Sequence, residues 1–247
     1  MKKIFVCILS CLMLQSCTKK IQDNANVLDD INCECSNPPT GKLLWDYPAK
    51  PGMNEWKQFN SNEEMVKACQ IPEKILSSLS TKDLTAICLQ YPLLSDVFAF
   101  NFLSMGADKL YDDFNGIREL FKRKDAWKEL LKHYNCQMQV FEGVKSFLPV
   151  WNLEFLLGFY TQKADILSKE DYKKMLQSLL CGYEKEIMHD DPNFSYPFPC
   201  NFWARAHVII KISPKSIEEM PGKKVFDGLF HRDYMDIIND LSYQLIK

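Results

Sequence analysis

Apolar residues recur at helical spacing along most of this chain, and sustained alternation of period two is missing. Trp127, Leu130, Leu131 and Tyr134 fall at i, i+3, i+4 and i+7. Tyr172, Met175, Leu176, Leu179, Leu180, Tyr183 and Ile187 keep the same rule for about four turns. Phe230, Tyr234, Ile237, Ile238, Leu241 and Leu245 repeat it near the C-terminus. Each set forms a single stripe on a helix, so each helix has one face to bury. Residues 93–105 and 150–160 are apolar nearly all round, which predicts two central helices surrounded by the others. The one strand-like run, Val208-Ile209-Ile210-Lys211-Ile212, is placed at the end of a helix.

The helix starts are also written in the chain. Ser61 with Glu64, Ser80 with Asp83, and Ser168 with Asp171 have capping-box spacing, in which the serine oxygen accepts an orphan backbone N–H. Pro72 and Pro92 suit a first helical position, where the missing N–H costs nothing. Asn115-Gly116 reads as a helix stop. The expectation is an all-α, multi-helical domain of paired antiparallel helices, about nine or ten in number, either compact or a short solenoid-like array without a clean repeat.

Lys2 and Lys3 lead into an apolar run over residues 4–14, followed by Gln15-Ser16-Cys17. A basic start, a short apolar core and a small residue before cysteine make an export signal of the lipoprotein kind. The apolar run is shorter than the ~20 residues a spanning helix needs. Ile8-Leu9-Ser10-Cys11 offers a second lipidation pattern but leaves only a stub of apolar core before it. Residues 1–16 are therefore read as the signal peptide and Cys17 as the lipid attachment site, with an ordinary secreted protein as the alternative. That assignment makes the membrane a partner through the lipidated N-terminus. It places the protein in the bacterial cell envelope, at the outer membrane.

Residues 17–41 are polar, rich in Asn and Asp, and close on Asn37-Pro38-Pro39-Thr40-Gly41, the composition of a flexible tether. Residues 42–247 read as one helical domain, whose first part, 42–60, is an extended strap. There Trp45, Tyr47, Trp56 and Phe59 surround Pro48, Pro51 and Gly52, too many aromatics for a solvated linker and too much proline and glycine for a long helix.

With 30 Lys and Arg against 32 Asp and Glu, the chain shows no basic stripe, which excludes an electrostatic nucleic-acid binder. Of ten cysteines, Cys7 and Cys11 fall in the signal and Cys17 carries lipid; Cys33, Cys35, Cys69, Cys88, Cys136, Cys181 and Cys200 remain, an odd number. Most sit in apolar patterns and read as buried thiols, while an oxidising destination permits a bridge or two.

Strong catalytic signatures are absent: there is no Gly-x-Ser-x-Gly elbow, phosphate loop, His-Glu-x-x-His helix or dinucleotide glycine pattern. No cofactor or metal is expected. His189-Asp190-Asp191 reads as a solvated acidic turn, since adjacent residues rarely converge on one ion. Cys200 and His207 lie ~10.5 Å apart along one helix, too far to share a zinc, and His207 instead suits a stack on Trp203. His133 and His231 are boundary residues beside apolar stripes, and a single Cys33-x-Cys35 pair is a weak metal signal. Trp45, Tyr47 and Trp56 lie outside any amphipathic pattern, so they are candidate ligand contacts as well as candidate packing residues. Asn101, alone in an apolar segment, requires a partner if buried. With Asn115, Glu119 and Arg123 it is a candidate polar network.

Tyr47-Pro48-Ala49-Lys50-Pro51-Gly52 with Glu55-Trp56-Lys57, then Ala68-Cys69-Gln70-Ile71-Pro72-Glu73, Leu79-Ser80-Thr81 with Leu84, Cys88-Leu89-Gln90-Tyr91-Pro92, and finally Phe114-Asn115-Gly116 with Glu119-Leu120-Phe121-Lys122-Arg123-Lys124-Asp125-Ala126 follow one another in order. Over residues 43–190 this order and spacing resembles an uncharacterised family of exported proteins from gut Bacteroidota. The resemblance implies one export-compartment domain and brings no activity, substrate or catalytic residue. The functional expectation is a lipid-anchored, non-enzymatic module that binds a protein or glycan partner. The alternative is an envelope hydrolase that cleaves glycan or peptide through carboxylates on its helices.

Overall fold

The computed structural model describes residues 44–164, 167–188, 199–218 and 232–246. The signal, Cys17, the tether with Cys33 and Cys35, His189-Asp190-Asp191 and His231 lie outside the described residues. The described segments belong to one compact unit, 34–247. They are all-α, as the spacing predicts, with no strand among the described residues.

The first helices are short: α1 Asn62–Ala68, α2 Glu73–Leu76 and α3 Thr81–Leu89. Ser61 caps α1, accepting Glu64 N–H at 3.3 Å, while Asn60 N–H donates to Glu64 Oε2 at 2.8 Å. Ser80 caps α3 through Asp83 N–H at 3.1 Å. Pro72 stands at the N-cap of α2, and Pro92 lies in the turn before a 3₁₀ segment, Leu94–Ala99.

The expected central helix over residues 93–105 does not form. Leu94 and Val97 of the 3₁₀ segment are buried, but the chain then extends through Phe100 and Phe102 before α4, Leu103–Asp113, begins. Phe100, Phe102 and Met105 are exposed. The physical reason is that two short pieces bury one apolar side each, at Leu94 and Val97 and at Gly106, Ala107 and Leu110. A continuous helix with apolar residues all round would need neighbours on every side. Asn115-Gly116 likewise starts a helix, α5 Asn115–Leu120, where a stop was expected. Phe114 has an extended backbone, and it separates α4 from α5 while its ring goes to the core.

The second half holds the long helices. These are α6 Ala126–Gln139, α7 Phe147–Lys163, α8 Lys169–Met188, α9 Pro199–Ile212, α10 Pro214–Glu218 and α11 Arg232–Ile246. Ser168 caps α8, accepting Asp171 N–H at 3.1 Å. Helix α7 is the centre of the fold, as its composition predicts. Every residue from 153 to 161 is buried, and α6 and α9 pack along it. Gly158 makes the α7–α9 approach possible, because a Cβ there would stand 2.6 Å from the Trp203 ring and 2.9 Å from Ala204 Cα. Trp203 then stacks on Phe155 at 5.5 Å and 11°. The run at residues 208–212 is the last part of α9, as expected.

Before α1, Tyr47 and Ala49 are buried, and Tyr47 donates its hydroxyl to Ile87 O at 2.9 Å. Trp45 meets Tyr47 edge-on at 4.6 Å, and Trp56 meets Phe59 at 5.7 Å.

Candidate functional site

The residues expected to form a polar network separate. Asn115 works as a clamp. Its Oδ1 accepts Ile71 N–H at 3.0 Å and its Nδ2 donates to Ile71 O at 2.7 Å, fixing the link between α1 and α2. Arg123 donates to Glu119 Oε1 at 3.4 Å and to Leu79 O at 2.8 Å. Asn101 stands on the exposed bend before α4 and joins neither. Asn115 and Arg123 thus use their side chains to hold distant backbone, at Ile71 and Leu79. Trp45 and Trp56 are half-buried, and Tyr47 is committed to the core, so the three rings do not make one open platform.

Sequence reasoning missed a buried polar cluster that joins α6, α7, α8, α9 and α11. Glu154 of α7, Glu186 of α8 and Arg205 of α9 are each 0% exposed. Glu154 Oε1 accepts the Tyr134 hydroxyl at 3.0 Å and Asn201 Nδ2 at 2.7 Å. Asn201 Oδ1 in turn accepts Arg205 Nε at 2.7 Å, and Arg205 Nη1 donates to Ser242 Oγ at 3.2 Å. The guanidinium lies over the Tyr183 and Phe202 rings, 4.5 and 4.7 Å from their centroids. Gly182 lets Tyr134 reach the cluster, since a Cβ at that position would collide with the phenol.

Two buried carboxyls beside each other cannot both ionise cheaply. Burial, reinforced by the charge of Glu154, pushes Glu186 well above the ordinary carboxyl range. Burial also raises Glu154, to about 7, against the hydrogen bonds from Asn201, Glu186 and Tyr134 that favour its anion. With both groups ionised, neither Glu186 oxygen has a donor among the described residues. A proton kept on Glu186 supplies one, donated to Glu154. The pair then carries one negative charge against Arg205, whose own pKa burial lowers only to about 10. The chemistry of this cluster is proton sharing and charge balance within a sealed core. A glycosidase pair differs on both counts: its carboxyls flank a substrate at ~5 to 9.5 Å with room for sugar or water.

Two of the four histidines, His133 and His207, lie among the described residues. His207 meets Trp203 edge-on at 4.8 Å, as the i+4 spacing predicts. Burial, with Lys211 nearby, lowers its pKa to about 4. His133 is lowered to about 4 by burial, Lys132 and Lys82. No group of three or more His, Cys, Asp or Glu side chains that could hold a metal occurs among the described residues. Cys69, Cys88 and Cys200 are buried thiols, and burial raises the pKa of each, so none is an activated nucleophile. Cys136 is disulfide-bonded.

Among the described residues an open polar concavity lies elsewhere, on the face made by α1, α4 and the 3₁₀ segment Leu94–Ala99. An outer groove of about 210 Å³ lies between α1 and α4. An inner recess of about 60 Å³ opens beside it, and Asn62, Lys109 and Asp113 line both. Lys109 bridges both Asp113 oxygens at 2.6 Å. Compared with known proteins, the chain matches no family, no curated protein and no solved structure.

Proposed function

We propose that this chain is a lipid-anchored protein of the bacterial cell envelope, held at the outer membrane through Cys17, and that its helical domain is a non-enzymatic binding module. The recognition face in this reading is the groove between α1 and α4. One observation carries the choice of binding over hydrolysis. The strongly perturbed acid pair, Glu154 and Glu186, is sealed in the core, where no substrate reaches it, while the groove's polar groups face outward. The Cys136 disulfide supports an oxidising compartment. The resemblance to exported Bacteroidota proteins supports the same placement. No described helix is long and apolar enough to cross a membrane, and attachment in this reading rests on acyl chains. Each buried CH₂ of such a chain contributes ~0.8 kcal/mol, and stable anchoring takes more than one chain.

Cys17→Ser is expected to move the protein from the membrane to the soluble fraction and to abolish the lipid mass on its N-terminal peptide. A variant that stays membrane-bound and lipidated would overturn the anchoring.

A further inference from the structure

Cys136, half-buried on α6, is disulfide-bonded, and the chain itself narrows the choice of its partner. Among the described residues, Cys69, Cys88, Cys181 and Cys200 are thiols. The compact unit that contains α6 begins at residue 34, so Cys35 is the one cysteine of that unit left to supply the second sulfur. The signal reading points to the same stretch independently, because Cys7 and Cys11 leave with the signal and Cys17 carries the lipid. Cys69, Cys88 and Cys200 are each 0% exposed, which keeps them thiols in an oxidising compartment, since an oxidant must reach the sulfur it attacks.

The packing of the domain puts Cys136 within reach of the residues just before the strap. Tyr47 is fixed on α3 by its hydroxyl bond to Ile87 O, and α3 packs on α6, the helix that carries Cys136. Thr81 Oγ1 of α3 also donates to Asp125 Oδ1, at the start of α6, at 2.9 Å. Packed helices lie about 8–10 Å apart, and α6 is ~21 Å long. The roughly nine residues from Cys35 to Leu44 span up to ~30 Å, enough for the crossing and the whole length of α6 together.

We propose that Cys35 and Cys136 are joined by a disulfide that staples the tether to α6. The bond forms by exchange with a disulfide-bonded oxidant of the export compartment. The two thiols lose two protons and two electrons as their S–S bond forms, and the oxidant's S–S bond breaks to give two thiols. The cross-link closes a loop of about 100 residues, and a cross-link over so long a loop restricts the unfolded chain strongly. It also shortens the chain between the anchor and the domain from residues 18–43 to residues 18–34, or from ~90 Å to ~60 Å at full extension. The staple does not depend on the groove being the recognition face.

The test is a peptide map of the full chain, exported on its own signal, alkylated without reductant and cut after glutamate. Cleavage after Glu34 separates Cys33 from Cys35. Fragment 35–55 is expected bonded to fragment 130–142, each holding one cysteine, and reduction should release both. Alkylated Cys136 in the unreduced digest, or Cys136 bonded to the fragment ending at Glu34 or to the Cys181 fragment, 171–184, overturns the assignment. The N-terminal fragment reads the signal and lipid separately, so a fragment that begins at Met1 or lacks lipid sinks the anchoring while the bond between 35–55 and 130–142 stands. Cys35→Ser and Cys136→Ser should each lower the Tm by on the order of 10 °C, and together by no more than either alone, because all three lose the same bond. Cys33→Ser should leave the Tm unchanged. Single variants that melt as the wild type does, or whose losses add, also overturn the staple.

Discussion

Arg205→Ala should destabilise the protein by about 3–5 kcal/mol, the usual cost of stripping one partner from a buried charged group. Arg205 is 0% exposed, and its charge favours the Glu154 anion, to which it is linked through Asn201. Removing it leaves the anion uncompensated and takes a donor from both Asn201 and Ser242. It also removes the cation that lies over the Tyr183 and Phe202 rings. Urea denaturation measures the loss directly. Pairing the change with Glu154→Gln should recover part of it, because the amide no longer needs a counter-charge. A loss under about 1 kcal/mol, the value of an exposed ion pair, would mean that the cluster carries no net buried charge.

Leu156→Ala should cost about 2–5 kcal/mol through lost transfer energy and a residual cavity. Leu156 lies at the middle of the all-buried stretch of α7, with α6 and α9 along its flanks, so the surroundings cannot collapse onto a smaller side chain. Phe98→Ala should cost less, since Phe98 is half-buried at the margin, meeting Trp151 and Phe155 edge-on at 5.9 Å each. Lys174→Ala, on the exposed side of α8, should stay within about 0.5 kcal/mol. A Leu156 variant as stable as the Lys174 variant would contradict the placement of α7 at the centre.

Much of this core was legible because it depends on local rules. Serine caps at Ser61, Ser80 and Ser168 act within one turn, and the all-round apolarity of residues 150–160 needs no knowledge of partners. Residues 93–105 show the limit of the same rule. Equal apolarity there served two short pieces meeting through Val97 and Gly106, and composition does not say where a chain will bend. The polar core was hidden for a related reason. Glu186 sits in Glu184-Lys185-Glu186 and Arg205 between two alanines, and each looks like part of a solvated helix face. Only Glu154, a lone acid inside Leu153-Glu154-Phe155-Leu156, carried a signal that could have been read. The partners come from helices well apart in sequence, and no spacing rule joins them. The groove shares that difficulty, since Tyr91, Asp96 and Asp113 come to line one recess only when α4 packs on the 3₁₀ segment.

The central claim is that Glu154 and Glu186 form a sealed, proton-sharing pair that serves the fold while recognition occurs elsewhere. Both pKa values are raised above the unfolded carboxyl value, so the native state holds protons that the unfolded chain has released. The pair's contribution is complete below the unfolded pKa and is lost as pH rises through the folded values. The decisive measurement is the free energy of urea unfolding from about pH 5 to 8 for the wild type and for Glu186→Gln, whose amide donates the same hydrogen bond without a proton to lose. Wild-type stability should fall with pH relative to the variant, by up to about 1.4 kcal/mol per pH unit for each proton retained. Parallel profiles would mean that Glu186 titrates like an open surface acid, contradicting the sealed pair and returning these carboxyls to the list of groups a substrate could reach.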